Sequence, residues 1–261
     1  MMTNRLDWVD ITKCLAILLM IIGHSSIPEI LSNFIYAFHM PTFFILSGMC
    51  TDWHKDSIAN FVKRRFKSLL LPFLIYSLIV ILISQWSDLH LFSLTNGWGD
   101  ALWFVPVCML ALIMSKLYFT ITNGVFRIIF FVLLILTASY LSYSGTHLPW
   151  SISSVPYSAI LVISGYYLKR FADYITKPRI VYIILSMAIV AAISYFFRLD
   201  IAWNNITPIV PITIAAIAGT GMLINISCYI EKFNSLISKL CIYWKGNFCY
   251  NGFFSIDNNL D

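Results

Sequence analysis

The stretch that decides the fold is residues 10–48, which read DITKCLAILLMIIGHSSIPEILSNFIYAFHMPTFFILSG. It contains two apolar runs joined by a short polar link. The first run holds Lys13 and His24, and the second holds His39 two residues before Pro41. An ionisable side chain inside an apolar span is energetically costly and usually serves a function. The sequence therefore predicts a pair of membrane helices that carry a functional site.

The composition of the whole chain extends this prediction. Of its 261 residues, 59% are hydrophobic and 11% are charged, and the mean hydropathy is +0.81. A soluble domain of this size does not need so much apolar surface, so the fold class is an all-α, polytopic transmembrane helix bundle. The eight apolar runs that predict its spans are 11–27, 34–51, 69–87, 100–120, 125–143, 155–168, 180–197 and 207–224.

The distribution of positive charge predicts the orientation. The links at 25–33, 88–99, 144–154 and 198–206 contain one basic residue, Arg198. The other sixteen of the seventeen lysines and arginines fall on the opposite side if the spans alternate. Because cytoplasmic links carry the excess of Lys and Arg, we expect the N-terminus in the cytoplasm.

Spacing and orientation together place the ionisable residues. Lys13 and His24 are eleven residues apart, so they lie on one helix face, roughly 16 Å apart along the axis. Asp10 precedes Lys13 by three residues and can pair with it. In the predicted orientation Lys13 lies near the cytoplasmic face, whereas His24 and His39 lie in the outer half. Pro41 frees an upstream carbonyl, so a kink is expected near His39.

The six cysteines have no metal-ligand spacing and are interpreted as packing residues, so no metal site is expected. The ionisable residues of the first two runs either tie helices together or form a site, and their convergence favours a site. Trp103, at the start of the fourth run, is either an interfacial belt residue or a platform for a sugar ring or acyl group. The basic stretch at 60–67, with Arg64 and Arg65, is either an anchor on anionic headgroups or a docking surface for a phosphorylated donor.

Several motifs resemble one family. Residues 5–13, RLDWVDITK, followed by GHS at 23–25, resemble the opening of the acyltransferase 3 membrane family. Residues 38–48, FHMPTFFILSG, resemble its second-helix signature, most closely in the fucose 4-O-acetyltransferase-like branch. The resemblance runs from about residue 5 to about residue 240. Weaker matches are KRR at 63–65 leading into LLP at 70–72, LWFVP at 102–106 and SGYY at 164–167.

The resemblance implies a multi-pass O-acyltransferase of the bacterial inner membrane. Such an enzyme moves an acyl group, usually acetyl from acetyl-CoA as co-substrate, to a hydroxyl of a cell-surface carbohydrate or lipid-linked glycan. Its partners are the bilayer, the acyl-CoA donor and the carbohydrate acceptor, with no nucleic acid and no bound cofactor.

By the family pattern His24 is the main catalytic residue, and Lys13 fills a position usually held by Arg or Lys. His39 is expected to orient His24 or to act as a second acid or base, and Asp10 to orient Lys13. The candidate substrate-binding residues are Arg5, Trp103, Arg64 and Arg65.

The end of the sequence departs from the family. Residues 241–261, CIYWKGNFCYNGFFSIDNNLD, stand where the family continues with a Tyr-Ile-Gly motif and further spans. We therefore expect a transmembrane domain over 1–240 and an atypical polar tail over 241–261 that replaces the last spans. The small-residue face of the eighth run is then expected to lack its partner helix. Its members are Ala215, Ala216, Ala218, Gly219 and Gly221.

This departure leaves two alternatives to an active enzyme open. One is an inactive, C-terminally truncated remnant. The other is a non-catalytic transporter or flippase component that uses the same polar residues as a pathway. The sequence has no internal repeat with paired broken helices, which transporters often show.

Overall fold

The computed structural model describes residues 7–75 and 103–233. Within these residues the secondary structure is helical, and a single bridge between Asp200 and Asn205 is the only strand-like pairing. This confirms the predicted all-α fold class. The helices are α1 Asp7–Gly23, α2 Glu29–Tyr36, α3 His39–Cys50, α4 Ile58–Arg65, α5 Phe104–Thr120, α6 Gly124–Tyr143, α7 Val155–Lys169, α8 Ala172–Ile175, α9 Ile180–Phe196 and α10 Ile209–Phe233.

Three helices in the described part of the chain are long and apolar enough to cross a membrane. They are α2 and α3 taken together as Glu29–Cys50, α6, and Ile209–Lys232 of α10. Helices α5 and α9 are apolar but shorter. Much of the third predicted run, 69–87, lies outside the described residues, as do Arg5 and the tail at 241–261. The chain is therefore a helical membrane protein, and eight spans stay a prediction.

Hydrogen bonds between links show which links share an end of the bundle. Ser151 Oγ donates to the carbonyl of Ala202 at 2.9 Å, which joins the link before α7 to the link before α10. At the opposite end, Asn225 Nδ2 donates to the carbonyl of Lys177 at 2.9 Å, which joins α10 to the link before α9. This arrangement is the one that alternating spans predict. We call the first the outer end and the second the inner end.

Helices α3 and α7 form the centre of the bundle. A Cβ added at Gly48 would overlap the carbonyl oxygen of Val162, and one added at Gly165 would overlap that of Ile45. The two backbones therefore touch through reciprocal glycines, as small residues allow in membrane helices. Such contact brings Cα–H groups onto facing carbonyls, a weak attraction that recurs at helix interfaces.

Helices α6 and α9 lie at the periphery. In α6 the buried residues are Leu134 and Ala138, and most of the remaining side chains are apolar and exposed or half-buried. In α9 the buried residues are Ser186, Val190 and Ser194. Apolar side chains that surround a helix on its exposed faces are typical of contact with lipid. Within residues 7–75 and 103–233, these two helices therefore present apolar surface suited to lipid.

The small-residue face of α10 has partners within the chain. A Cβ at Gly219 would overlap Phe38, and a Cβ at Gly221 would overlap the hydroxyl of Tyr182 in α9. Ala216 is fully buried. The expectation that this face lacks a partner is therefore wrong, because α3 and α9 cover it. Sequence reasoning placed the missing partner after α10, whereas packing supplies it from earlier in the chain.

Helix α4 continues into a π-helical turn, Phe66–Leu70. Every fourth residue along this segment is buried, namely Phe61, Arg65, Leu69 and Phe73. In a regular α-helix each step of four residues rotates about 40° beyond a full turn, so such a stripe would drift around the helix. A π turn is wider, with i→i+5 hydrogen bonds, and it returns the stripe to the same face.

The glycine contact at the centre gives a stability prediction. We expect Gly48→Ala to destabilise the protein by about 1–3 kcal/mol or more, because the overlapped atom belongs to a backbone and cannot move aside. Gly124→Ala is the matched control, since nothing lies within 4 Å of a Cβ at that position. The melting temperature in detergent measures both. Equal melting temperatures for the two variants would contradict the close packing of α3 on α7.

Candidate active site

The helix is broken between α2 and α3, directly before His39. Phe38 has φ −142° and ψ −18°, outside the helical region, and α3 begins at His39. Pro41 is the third residue of α3 and has no N–H to donate to the carbonyl of Ala37. The kink expected near His39 is confirmed.

His39 is buried at the outer end of α3, with 2% of its surface exposed. Its Nδ1 lies 2.9 Å from the backbone carbonyl oxygen of Ile35. A carbonyl oxygen only accepts hydrogen bonds, so Nδ1 carries the hydrogen and donates it. In the neutral ring Nε2 is then the nitrogen with a free lone pair.

His24 follows the last residue of α1 and is exposed. It therefore lies at the outer end of α1, directly after the helix. The sequence had placed it inside the predicted span 11–27. A Cβ at Gly23 would lie 3.2 Å from Ile35 and 3.4 Å from Tyr36, so the glycine allows α2 to approach closely. His24 Nδ1 is 3.2 Å from the hydroxyl of Tyr36.

Tyr36 connects the two histidines. The centroid of its ring is 5.6 Å from that of His24 and 4.9 Å from that of His39, with edge-on geometry in both cases. The guanidinium of Arg198 lies over the same ring, 5.1 Å from its centroid. Arg198 Nη2 is 4.0 Å from Asp200 Oδ2. The outer site therefore consists of two imidazoles, a phenol, a guanidinium and a carboxylate.

Sequence reasoning missed Tyr36, Arg198 and Asp200. The one signal available for Arg198 was that it is the single basic residue in the predicted external links. Nothing in the spacing of Tyr36 separates it from the chain's other tyrosines. Its contact with Arg198 joins residues far apart in sequence and depends on how the bundle closes.

Asp200 lies in the link between α9 and α10, outside the membrane spans. Burial raises the pKa of its carboxyl. The backbone N–H of Trp203, which donates to Oδ1 at 3.3 Å, and the nearby Arg198 oppose this shift. The carboxyl therefore takes up a proton at a higher pH than an ordinary aspartate, and its attraction for Arg198 is lost when it does so.

The pair of Lys13 and Asp10 lies near the inner end of α1. Lys13 Nζ is 4.0 Å from Asp10 Oδ1, with 5% and 12% of the two side chains exposed. The predicted pairing is confirmed. Thr12 Oγ1, which donates to Ser227 Oγ at 2.8 Å, holds this part of α1 against the last turns of α10. Ten residues of α1 lie between Lys13 and His24, so the candidate site has two distant parts.

The basic stretch is divided between surface and interior. Arg64 pairs with Asp56 at 2.8 Å. Arg65 is 3% exposed and donates through Nη2 to Thr51 Oγ1 at 3.1 Å. It therefore does not lie on the basic surface where the sequence placed it, because the stripe of α4 that includes it faces the bundle. Substrate binding by Arg64 and Arg65 stays a prediction.

Three cationic side chains lie near the ring of Phe61 at the inner end. The guanidiniums of Arg64 and Arg65 lie 5.9 Å and 5.1 Å from its centroid, and Lys116 Nζ lies 5.8 Å away. Lys116 also donates to the carbonyl of Trp53. The aromatic ring and the carbonyl offset part of the cost of holding these charges out of water.

Trp103 is 7% exposed and packs edge-on against Phe104, which in turn contacts Phe43 and Phe44 of α3. A belt residue presents its ring to the membrane interface, so this burial does not fit the belt interpretation. A role in substrate binding stays a prediction. In residues 7–75 and 103–233 no group of three His, Cys, Asp or Glu side chains is arranged to hold a metal ion.

Comparison with known protein families places the chain in one of them. A family model described as an acyltransferase domain matches residues 6–251. No curated protein and no solved structure matches the chain.

The pair of Lys13 and Asp10 gives a prediction, and the pair of Arg198 and Asp200 serves as its control. We expect a double-mutant cycle of Lys13→Met and Asp10→Asn to show a coupling of about 0.5–3 kcal/mol, because burial shields this pair from water. Arg198 and Asp200 have the same separation of 4.0 Å, but 43% of the Arg198 side chain is exposed. Their cycle, Arg198→Met with Asp200→Asn, should show only about 0.2–1 kcal/mol. Denaturant unfolding in detergent measures both, and additive effects at Lys13 and Asp10 would contradict the pairing.

Proposed function

Because the chain belongs to the acyltransferase 3 family, we propose that it is a membrane O-acyltransferase acting on a cell-surface carbohydrate or lipid-linked glycan. The group transferred is an acyl group, expected to be acetyl from acetyl-CoA, and the membrane is expected to be the bacterial inner membrane. The observation that carries the proposal is the meeting of His24 and His39 around Tyr36. These histidines come from the two segments that most resemble the family.

The chemistry of transfer suits an imidazole. A neutral imidazole takes the proton of an acceptor hydroxyl, and the oxygen attacks the thioester carbonyl carbon to form a C–O bond. The C–S bond breaks, and the sulfur leaves with the proton that the imidazole had taken. His24 and His39 lie within reach of one another around a single ring, so both can take part in this step.

The inner end suits the anionic donor. The exposed lysines of the basic stretch, Lys63 and Lys67, offer charge-assisted contacts to the donor's phosphates, with Arg64 and Arg65 behind them. Lys13, buried near the inner end of α1 beside Asp10, adds a positive charge inside the bundle. The arm of the donor then extends over the roughly 16 Å of helix between Lys13 and His24.

The outer end suits the acceptor. His24 is exposed, so a hydroxyl that arrives from outside can reach it. The fucose 4-O-acetyltransferase-like resemblance favours a sugar hydroxyl as the acceptor. In this arrangement the donor and the acceptor approach the histidines from opposite sides of the membrane.

The proposal predicts transfer that depends on His24. We expect purified protein in lipid nanodiscs to transfer acetyl from labelled acetyl-CoA to a lipid-linked glycan acceptor. We expect His24→Ala to lower the rate by about 10²-fold or more, which is the usual loss both for acid–base catalysis and for a donor to the developing oxyanion. Tyr140→Phe on the lipid-facing surface of α6 serves as the control and should leave the rate unchanged.

Other outcomes of this experiment have clear meanings. Movement of the glycan across the bilayer without acetylation would support the transporter alternative. Neither activity, in a protein that folds normally, would indicate an inactive remnant. Full activity in His24→Ala would reduce His24 to a structural residue.

The proposal also fixes the sidedness of the two ends. We expect a cysteine placed at Lys55, in a background without the native cysteines, to react with a membrane-impermeant reagent only from the cytoplasmic side. A cysteine placed at Ser26 should react only from the outside. Both positions are exposed, so access through the protein does not limit labelling. The reverse pattern would place the basic stretch outside and would contradict donor entry at the inner end.

A further inference from the structure

The contacts of the two histidines differ in kind, and from this difference we infer that the imidazoles are held in opposite tautomers. His39 carries its hydrogen on Nδ1 and presents a bare Nε2, which is the form of a general base. His24 carries its hydrogen on Nε2 and presents an N–H, which is the form of a hydrogen-bond donor. The assignment of chemical roles rests on the proposed acyl transfer, whereas the tautomers themselves do not.

The tautomer of His39 follows from the helix break. The carbonyl of Ile35 accepts the backbone N–H of Phe38 at 3.2 Å and also meets His39 Nδ1 at 2.9 Å. A carbonyl has two lone pairs and no hydrogen, so the only favourable arrangement puts the hydrogen on Nδ1. Because His39 is buried, water does not compete for this bond. The backbone therefore holds His39 with Nε2 free to accept a proton.

The tautomer of His24 follows from Tyr36 and Arg198. The hydroxyl of Tyr36 lies 3.2 Å from His24 Nδ1 and can either donate or accept there. The guanidinium over the Tyr36 ring, 5.1 Å from its centroid, draws electron density from the phenol. This makes the phenolic O–H a better donor and its oxygen a poorer acceptor. Tyr36 therefore donates to Nδ1, and the hydrogen of His24 sits on Nε2.

Asp200 helps to hold the guanidinium of Arg198 over the Tyr36 ring. Asp200 Oδ2 lies 4.0 Å from Arg198 Nη2, and the Trp203 backbone N–H fixes the aspartate through Oδ1. Tyr36 and Arg198 act through His24, so they are positioning residues. Asp200 stabilises the position of Arg198.

Opposite tautomers divide the transfer step between the histidines. His39 Nε2 takes the proton of the acceptor hydroxyl while the hydroxyl oxygen attacks the thioester carbonyl carbon. His24 Nε2–H donates to the carbonyl oxygen as negative charge develops on it. When the C–S bond breaks, the electron pair leaves with sulfur, and the proton on His39 passes to the thiolate. Both imidazoles return to their starting tautomers.

Nitrogen NMR of ¹⁵N-histidine-labelled protein in nanodiscs tests the tautomers directly. The chain has five histidines, and His24→Gln and His39→Gln each remove one signal and so assign it. At a pH of about 8.5, where ordinary histidines are neutral, we expect the Nδ1–H pattern for His39 and the Nε2–H pattern for His24.

Tyr36→Phe tests whether the Tyr36 hydroxyl sets the tautomer of His24. It removes the hydroxyl and keeps the ring on which Arg198 and both histidines pack. We expect it to convert His24 into a mixture of tautomers and to leave His39 unchanged, since the partner of His39 is a backbone carbonyl. Tyr140→Phe is the matched control and should change neither signal. An Nε2–H pattern for His39, an Nδ1–H pattern for His24, or no effect of Tyr36→Phe would each overturn the inference.

Kinetics test the division of roles. The amide N–H of glutamine can replace an Nε2–H donor but cannot replace a base. We therefore expect His24→Gln to be more active than His24→Ala, and His39→Gln to lose about 10²- to 10⁴-fold in kcat. His24→Gln as inactive as His24→Ala, together with an active His39→Gln, would overturn the assigned roles. If the wild-type protein transfers no acyl group, the proposed function and these roles fail together, while the NMR patterns still decide the tautomers.

Discussion

Where the helix stops, the backbone carbonyl of Ile35 needs hydrogen-bond donors from the protein, because lipid offers none. An unsatisfied backbone group inside a membrane costs several kcal/mol, so broken helices persist only where protein groups satisfy them. Here the donors are the N–H of Phe38 at 3.2 Å and Nδ1 of His39 at 2.9 Å. The break therefore gives His39 a backbone acceptor, and His39 gives the carbonyl a second donor. The same hydrogen bond fixes which nitrogen of His39 carries the hydrogen.

The position of the break is held by packing from two sides. Phe38 lies directly on Gly219 of α10, where a side chain would overlap it. Further along α3, Gly48 lies on the backbone of α7 at Val162. Since interiors transmit displacement and do not absorb it, a shift at either contact would move His39 relative to His24. The glycines thus connect the core of the bundle to the geometry at its outer end.

Local spacing made part of this structure predictable from the sequence. The pairing of Asp10 with Lys13 and the kink before Pro41 depend on residues within a few positions of one another, and both are confirmed. The burial of Arg65 and the partners of the small-residue face depend on which helices meet, and spacing alone does not encode that. Arg198 reaches Tyr36 across more than 160 residues, so no periodicity could have placed the guanidinium over that ring.

The distance between the basic residues and the histidines suits the proposed reaction. Carrying a phosphate into an apolar bundle is costly, whereas the thioester end of the donor carries no charge. Basic residues gather at the inner end, where Arg64, Arg65 and Lys116 surround Phe61. The histidines lie at the other end, roughly 16 Å beyond Lys13 along α1. In the proposed reaction, the charged part of the donor would stay at the inner end while its neutral end meets the acceptor near the histidines, so the acyl group would travel the length of α1 without its charge.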